Sequence, residues 1–350
     1  MGKRVTLQTL ADHLGVSRTT VSNAYNRPEQ LSDELRERIL AAAAELGYGG
    51  PDATARMLRT GRHDTIGVLF TDDLRFVFSD PDTTTFLEGV AEASTGVGTG
   101  VLLLPSPAGM PVEQTPLPHA AVDGFLVFSA ADDHPAVAAV MARNLPVVVV
   151  DEPDLGPDVA FLGIDDRGGA TMLGRHLHDL GHRRVGAITL PMSSDREPGP
   201  RTVEQALDSS VRIVRERAAG VIDAGLDLVV HEAAGNDPDA GRAAALDLLR
   251  ANPDLTAVVG FSDQLAIGAI QAAARLGLDV PNDVSVVGFD DIPRASTWDV
   301  PLTTIRQPLV DKGRRAATML QALIAGDTSP QRESLPIELV VRSSSGPAPC

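Results

Sequence analysis

Thr9-Leu10-Ala11-Asp12-His13-Leu14-Gly15-Val16-Ser17-Arg18-Thr19-Thr20-Val21-Ser22 is spaced as two short helices joined by a tight turn. Leu7, Leu10, Ala11 and Leu14 fall at i, i+3, i+4 and i+7, one face of a helix that Thr6 can N-cap. Ala11 is small enough for a second helix to pack on, and Gly15 can take the positive φ that the turn needs. Val16 and Val21 lock the pair, Ser17 can cap the second helix, and Val21, Ala24 and Tyr25 supply its buried face. Past Asn26-Arg27-Pro28, Ser32 or Asp33 opens a third helix bearing Leu35, Ile39, Leu40, Ala43 and Leu46, closed by Gly47. The pattern predicts an all-α helix-turn-helix headpiece over residues 1–48, although an ordinary helical hairpin would carry part of it.

Tyr48-Gly49-Gly50-Pro51-Asp52 cannot be helical and reads as a linker. Ala53 to Thr60, stopped by Gly61, has room for about two helical turns, too few to repay nucleation alone. Residues 49–62 are therefore expected to be a linker and hinge helix whose order depends on a partner. From Thr65 onward short apolar strands (66–70, 101–104, 122–128, 147–150, 185–190, 227–230, 257–260, 284–287) alternate with Ala-rich amphipathic segments (83–93, 135–143, 168–180, 211–224, 238–251, 264–276). That alternation builds parallel sheets with helices on both faces. Two such runs predict an α/β core, 63–350, of two doubly wound parallel-sheet lobes, about 65–163 with 291–306 and 164–290 with 307–342. Ligands of open parallel sheets lie beyond the carboxyl ends of the strands, so two facing lobes make a cleft. The Pro-rich stretch 105–120 and the polar stretch 191–208 read as loops.

A net charge of −17 argues at first against a nucleic-acid partner. Residues 1–62, however, hold nine Lys or Arg against seven Asp or Glu, a net of +2, which leaves −19 for the remainder. A mildly basic head on an acidic body would meet DNA at the head alone. With 3% aromatic residues, the cores must be packed from Ala, Val, Leu and Ile, and aromatic stacking platforms are not expected. The single cysteine, Cys350, can build neither a disulfide framework nor a Cys-based metal site, which fits reducing cytosol. Met1-Gly2-Lys3-Arg4 leads into a polar stretch rather than the apolar run of a signal peptide, and no run approaches the roughly 18 apolar residues of a membrane span. A cytoplasmic location is expected.

Val5-Thr6-Leu7 leading into Leu10-Ala11, Gly15-Val16-Ser17, Thr20-Val21-Ser22-Asn23, Glu45-Leu46-Gly47-Tyr48, the run Ala55 to Arg62 and Ile66-Gly67-Val68 carry a resemblance to the lactose-repressor (LacI/GalR) family. It continues through Val122-Asp123-Gly124, Leu180 to Val185, Ser262 to Gly268 and Val287 to Asp291, so that it spans nearly the whole chain. It implies a core of the periplasmic-binding-protein-like type I architecture and a headpiece that binds double-stranded DNA. Arg18, Thr19 and Asn23 then fall where base edges are read in the major groove, chemistry that suits a bidentate Arg–guanine or Asn–adenine contact. Ser17, Thr20, Ser22 and Tyr25 are candidates for phosphate contacts, and Thr6 is a further implied DNA-binding residue. In the hinge, Ala55 and Leu58 are implied DNA contacts, with Leu58 as an apolar wedge in the minor groove or, alternatively, an ordinary contact between hinge and core. Two details depart from the common pattern: a second glycine before Pro51, and Asp52 where Asn is frequent.

By position, the resemblance places Asp151, Arg217 and Asp290 in an effector site between the lobes, with Ser79, Asp80, Ser262 and Asp263 as further candidates on nearby loops. Loop or helix capping is the other reading of each aspartate, and Arg217 could be a surface charge on a helix. Trp298 could offer a stacking face or simply pack. Carboxylates with one arginine favour a polyhydroxylated effector, a sugar or nucleoside. Enzymatic readings find little support: Gly96-Val97-Gly98-Thr99-Gly100 precedes a strand instead of following one, no Gly-Lys-Ser/Thr phosphate loop occurs, and His176 and His178 lie on different helix faces. No cofactor, metal or membrane partner is expected. The reading is a homodimeric repressor, with a tetramer left open, gripping a pseudo-palindromic operator under control of a sugar-like effector. The alternative is a solute-binding protein with no DNA role.

Overall fold

The computed structural model of the chain describes residues 5–50, 57, 61–193 and 198–349, and the chain divides into two compact units, Met1–His63 and Asp64–Cys350. In the first, helices Leu7–Leu14, Arg18–Asn26 and Asp33–Leu46 begin at hydroxyl caps: Thr6, Ser17 and Ser32 each accept from the backbone N–H three residues on. Gly15 and Gly47 end the first and third helices at φ 67° and 69°, the left-handed region where a side chain is strained. Leu10, Ala11, Val21, Ala24, Ile39 and Ala43 form the buried centre, ringed by Leu7, Leu14, Val16, Tyr25, Leu35 and Tyr48. A 3-10 turn, Pro28–Gln30, fills the loop before the third helix. Of the expected hinge, Ala55 and Leu58 lie outside the described residues.

The second unit holds two sheets. The first contains β1 (Thr65–Phe70), β2 (Gly100–Pro105), β3 (Gly124–Phe128), β4 (Val147–Val150), β5 (Ala160–Ile164) and β12 (Arg332–Leu335), in the spatial order β12-β5-β4-β3-β1-β2. All its pairings are parallel. The second contains β6 (Arg184–Thr189), β7 (Gly199–Arg201), β8 (Asp227–Glu232), β9 (Ala257–Gly260), β10 (Ser285–Asp290), β11 (Thr303–Arg306) and β13 (Glu338–Val340), ordered β13-β11-β10-β9-β6-β8-β7. Only its edge strands β7 and β13 pair antiparallel. Central strands such as β3, β4 and β9 are buried along their whole length, as sheets covered on both faces require. Two doubly wound parallel-sheet lobes with an N-terminal all-α headpiece are thus the architecture.

The expected allocation of the C-terminal segments is reversed up to residue 335, whereas Glu338–Val340 lies in the second sheet. Residues 303–306 pair with β10 in the second sheet, Val287 opposite Thr303, not in the first lobe. Residues 332–335 pair with β5 in the first sheet, Arg332 opposite Phe161. Helix Leu309–Ala325 packs in the first lobe against helix Pro81–Val97, where the two backbones meet at glycine: a Cβ on Gly89 would overlap the Val310 carbonyl, and one on Gly313 the Phe86 carbonyl. Ile337 and Leu339 instead pack with the strands of the second lobe. The chain therefore passes between lobes at 164–166, 306–309 and 335–338. The stretch 191–208 is likewise not loop throughout, since it supplies β7 and helix Val203–Leu207, opened by a reciprocal Thr202–Gln205 capping box.

Candidate functional site

On the headpiece, helix Arg18–Asn26 carries no acidic residue, and Arg18 and Thr19 on its first turn are exposed. Ser17 Oγ accepts from Thr20 N at 3.0 Å and lies 2.9 Å from Thr20 Oγ1. Thr6 is exposed, its Oγ1 accepting from Thr9 N at 3.2 Å, whereas Ser22 and Asn23 are half-buried. Asn23 Nδ2 donates to Gln30 Oε1 at 3.0 Å, so a base contact by Asn23 would exchange one hydrogen bond for another. Tyr25 meets Tyr48 edge-on with ring centroids 6.0 Å apart, and partial burial raises its phenol pKa. Helix N-termini, hydroxyls and one arginine on an acid-free face suit duplex DNA.

In the core, the carboxyl ends of the parallel strands from both lobes converge on one cleft of about 420 Å³. The first lobe contributes Phe70 at the end of β1 with Thr71 to Asp73 after it, Asp80, Asp82 and Thr83, Phe128 at the end of β3 with Ser129 after it, and Asp151 and Glu152 after β4. The second contributes Leu190 and Pro191 after β6, Ala234 to Asp237 after β8, Phe261 and Ser262 after β9, Asp290 at the end of β10, and Arg217 from helix Arg212–Asp223; Gln307 lies on a crossing segment. Ser129, Asp151 and Asp290 hold positive φ (47°, 65° and 117°), a strained geometry for non-glycine residues that turns their side chains out of the strand line.

Of the sequence-expected residues, Asp80, Asp151, Arg217, Ser262 and Asp290 all line this cleft. Asp151 accepts from Lys312 Nζ through both oxygens, at 2.9 and 2.8 Å. Arg217 is buried, not a surface charge: its Nε donates to Asp166 Oδ1 at 2.9 Å, its Nη1 reaches the Phe261 carbonyl and lies 3.8 Å from Asp290 Oδ1, and its guanidinium sits 3.6 Å over the Phe289 ring. Burial alone would lower its pKa, but the carboxylates of Asp166 and Asp290 outweigh that and raise it. Ser262 caps helix Asp263–Leu276 and donates to Asn236 Oδ1 at 2.5 Å.

Three expected residues stand apart. Ser79 is exposed, its hydroxyl donating to the Phe76 carbonyl at 3.0 Å. Asp263 is wholly buried behind the cleft wall and committed to structure, accepting from Ile292 N at 2.9 Å and Thr304 Oγ1 at 2.5 Å; burial first of all raises its pKa to about 8. Trp298 packs on the second-lobe core with Arg294 4.6 Å over its ring, away from the cleft lining.

Sequence reasoning missed Asp82, Glu152, Asp166, Gln307 and Lys312. Asp82 Oδ1 is shut off from solvent without a hydrogen-bond partner among the described residues, as is Asp80 Oδ1. Burial, then the neighbouring Asp80 charge, raises the Asp82 pKa to about 7. Glu152 is raised to about 8, chiefly by burial. Asp290 is raised well above its ordinary value by burial, then by Asp82 from the opposite lobe. Gln307 Nε2 donates to Asp290 Oδ1 at 2.6 Å, and Lys312 Nζ donates to Gln307 Oε1. The one signal available was position: Asp82 follows a helix-opening proline and Glu152 follows a strand-end aspartate. Among the described residues no cluster of His, Cys, Asp and Glu is arranged to hold a metal ion, and no helix is long and apolar enough to cross a membrane.

A trihelical headpiece on a two-lobed core with a cleft between its lobes is the build of a DNA-binding transcriptional regulator. Residues 6–50 match the bacterial regulatory proteins of the lacI family, and residues 175–345 match the periplasmic binding protein-like domain. An HTH-type transcriptional regulator of Mycolicibacterium smegmatis is 41% identical, the alignment covering 99% of this chain and 97% of that one. Two solved structures cover 98% of this chain and 100% of their own: the transcriptional regulator CelR–cellobiose complex, 29% identical with TM-score 0.70, and the lac repressor dimer bound to operator and the anti-inducer ONPF, 27% identical with TM-score 0.80. The chain belongs to the LacI family of bacterial transcriptional regulators, and its relatives are regulators, not enzymes.

Proposed function

We propose that this chain is a cytoplasmic, homodimeric repressor whose grip on a pseudo-palindromic operator is loosened by a sugar-like effector held between the core lobes. The observation that carries it is the convergence of Asp151, Arg217 and Asp290 on a cleft closed from both lobes, in a chain that also bears a DNA-binding headpiece. Arg18, Thr19 and Asn23 read bases, while Thr6, Ser17, Thr20, Ser22 and Tyr25 position the backbone. Ala55 and Leu58 carry the hinge contact, with Leu58 as the minor-groove wedge. The effector prefers one lobe arrangement, and that preference is the whole of its leverage on DNA affinity. The cellobiose held by CelR, a structural neighbour, supports a carbohydrate effector. The operator-bound lac repressor dimer supports the assembly and the DNA target.

The test is selection of bound fragments from random duplex DNA by the full-length protein, followed by screening sugars and polyols for release of the selected site. A two-fold symmetric consensus released by one such compound is the expected result. A protein lacking residues 1–62 should lose the consensus and keep the compound, and undiminished DNA affinity in that truncation would overturn the proposal.

A further inference from the structure

Helix Arg212–Asp223 carries Arg217 into the cleft but has no cap of its own. The helices beginning at Pro81, Asp166, Pro238 and Asp263 take side-chain caps from Asp80, Asp165, Asp237 and Ser262 directly before them. Val211 stands in that place here and has no side-chain acceptor, and the first-turn N–H of Ile213 donates instead to Glu152 Oε2 of the other lobe at 3.1 Å. Glu152 is 2% exposed, and Ser129 Oγ, from its own lobe, donates to Oε1 at 3.3 Å. The lobes also meet beside it: Asp132 N donates to the Ser210 carbonyl at 2.9 Å, Arg215 Nη1 lies 2.8 Å from Asp132 Oδ2, and Arg212 Nη1 donates to the Asp151 carbonyl at 3.3 Å. The Asp132–Arg215 pair is partly open to water and adds little, so the buried cap sets the strength of the hold.

We propose that Glu152 is a positioning residue, a cap supplied across the cleft that clasps the first lobe to the first turn of the helix bearing Arg217, so that this turn is capped only while the lobes are apposed. Its bearing on DNA rests on the reading above, in which lobe arrangement governs operator affinity. A proton travels with the clasp. From the first lobe the charged groups around Glu152 are Asp151 with its partner Lys312, and Asp132 and His134 on the loop after β3. From the second they are Asp166 with Arg212 and Arg217, and Arg215. Burial raises the Glu152 pKa to about 8; the Ile213 N–H opposes the rise, and Asp166 and Asp151 add to it. A neutral carboxyl still offers Oε2 to Ile213, whereas a carboxylate there would be a buried charge facing two others. Parting the lobes opens Glu152 to water, where its ordinary pKa returns and the proton passes to solvent. Apposition is therefore favoured below about pH 8 and weakens above it.

The test measures lobe separation by pulsed spin-label distances between Ala138→Cys on the first lobe and Ala243→Cys on the second, both exposed helix positions, in the full-length Cys350→Ser chain diluted with unlabelled protein. With Glu152 intact, the ratio of apposed to parted lobes should fall about 10-fold or more between pH 6 and pH 9. Glu152→Ala should shift the ratio towards parted lobes at both pH values. Glu152→Gln keeps the acceptor oxygen without the charge, so its ratio should stay high and level across the range. A ratio indifferent to Glu152→Ala, or a Glu152→Gln chain that follows the same pH course as its parent, would overturn the proposal. Operator affinity of the same chains separates this inference from the reading beneath it. A clasp that responds as stated while operator affinity stays fixed would uphold the cap and sink control of DNA by the lobes.

Discussion

Lys312 Nζ sits 2.9 and 2.8 Å from the two carboxylate oxygens of Asp151, both residues buried, and so joins helix Leu309–Ala325 to the end of β4 at the cleft wall. Its third partner, Gln307, donates in turn to Asp290 of the other lobe. Removing one member of a buried pair strands the other's charge, typically at a cost of about 3–5 kcal/mol. Lys312→Met should lower stability by that order, read as a shift in the guanidinium midpoint, and Lys312→Met with Asp151→Leu should recover much of it. A single variant with an unshifted midpoint would show that the pair carries no such weight.

Arg18 is exposed on the first turn of an acid-free helix. Its replacement by Ala should cost about 1–3 kcal/mol of operator affinity and relax preference at one base step, while affinity for unrelated duplex falls less. Anisotropy titrations across a salt series separate the two. An equal loss on both duplexes would make Arg18 a phosphate contact.

Glu152 accepts from Ile213 N at 3.1 Å and Ser129 Oγ at 3.3 Å, with Asp166 and Asp151 nearby, and burial raises its pKa from 4.5 to about 8. The folded protein keeps a proton that the unfolded chain has released, so this group's contribution declines as pH rises from about 4.5 to about 8 and is level beyond. Glu152→Gln should remove that slope, making the variant more stable than the parent near pH 8 by on the order of 2–4 kcal/mol, with little difference near pH 4. Thermal unfolding at a series of pH values checks it, and parallel curves would refute the assignment.

Gly313 and Gly89 let two helices touch backbone to backbone. Gly313→Ala must push helix Leu309–Ala325 away from the Phe86 carbonyl, an overpacking cost of about 1–3 kcal/mol. A lowered melting temperature is expected, and an unchanged one would mean that the helices part freely.

Legibility in the sequence followed local pattern. β4, β9 and helix Pro238–Ala251 were readable to the residue because apolar runs or periodicity ended at turn-forming residues. The cap residues Thr6, Ser17 and Gly15 were readable for the same reason. β12, Arg332–Leu335, has no apolar run, because as an edge strand it owes its place to pairing with β5. In helix Leu309–Ala325 the buried Lys312 looks like a surface position until Asp151, distant in sequence, is brought beside it. Asp151 and Asp290 were legible as strand-end acids, whereas Asp82 and Glu152 acquire their character from burial that no local pattern encodes. Trp298 failed for the opposite reason: a residue type attractive for stacking was spent on packing.

The triple passage of the backbone at 164–166, 306–309 and 335–338 means that neither half of the core can be excised from the gene as one continuous stretch. A fragment ending at residue 164 would lack both the border strand Arg332–Leu335 and the helix whose glycine nests against Gly89. With three tethers in place of a single linker, any change in the angle between the halves has to be absorbed at all three segments together.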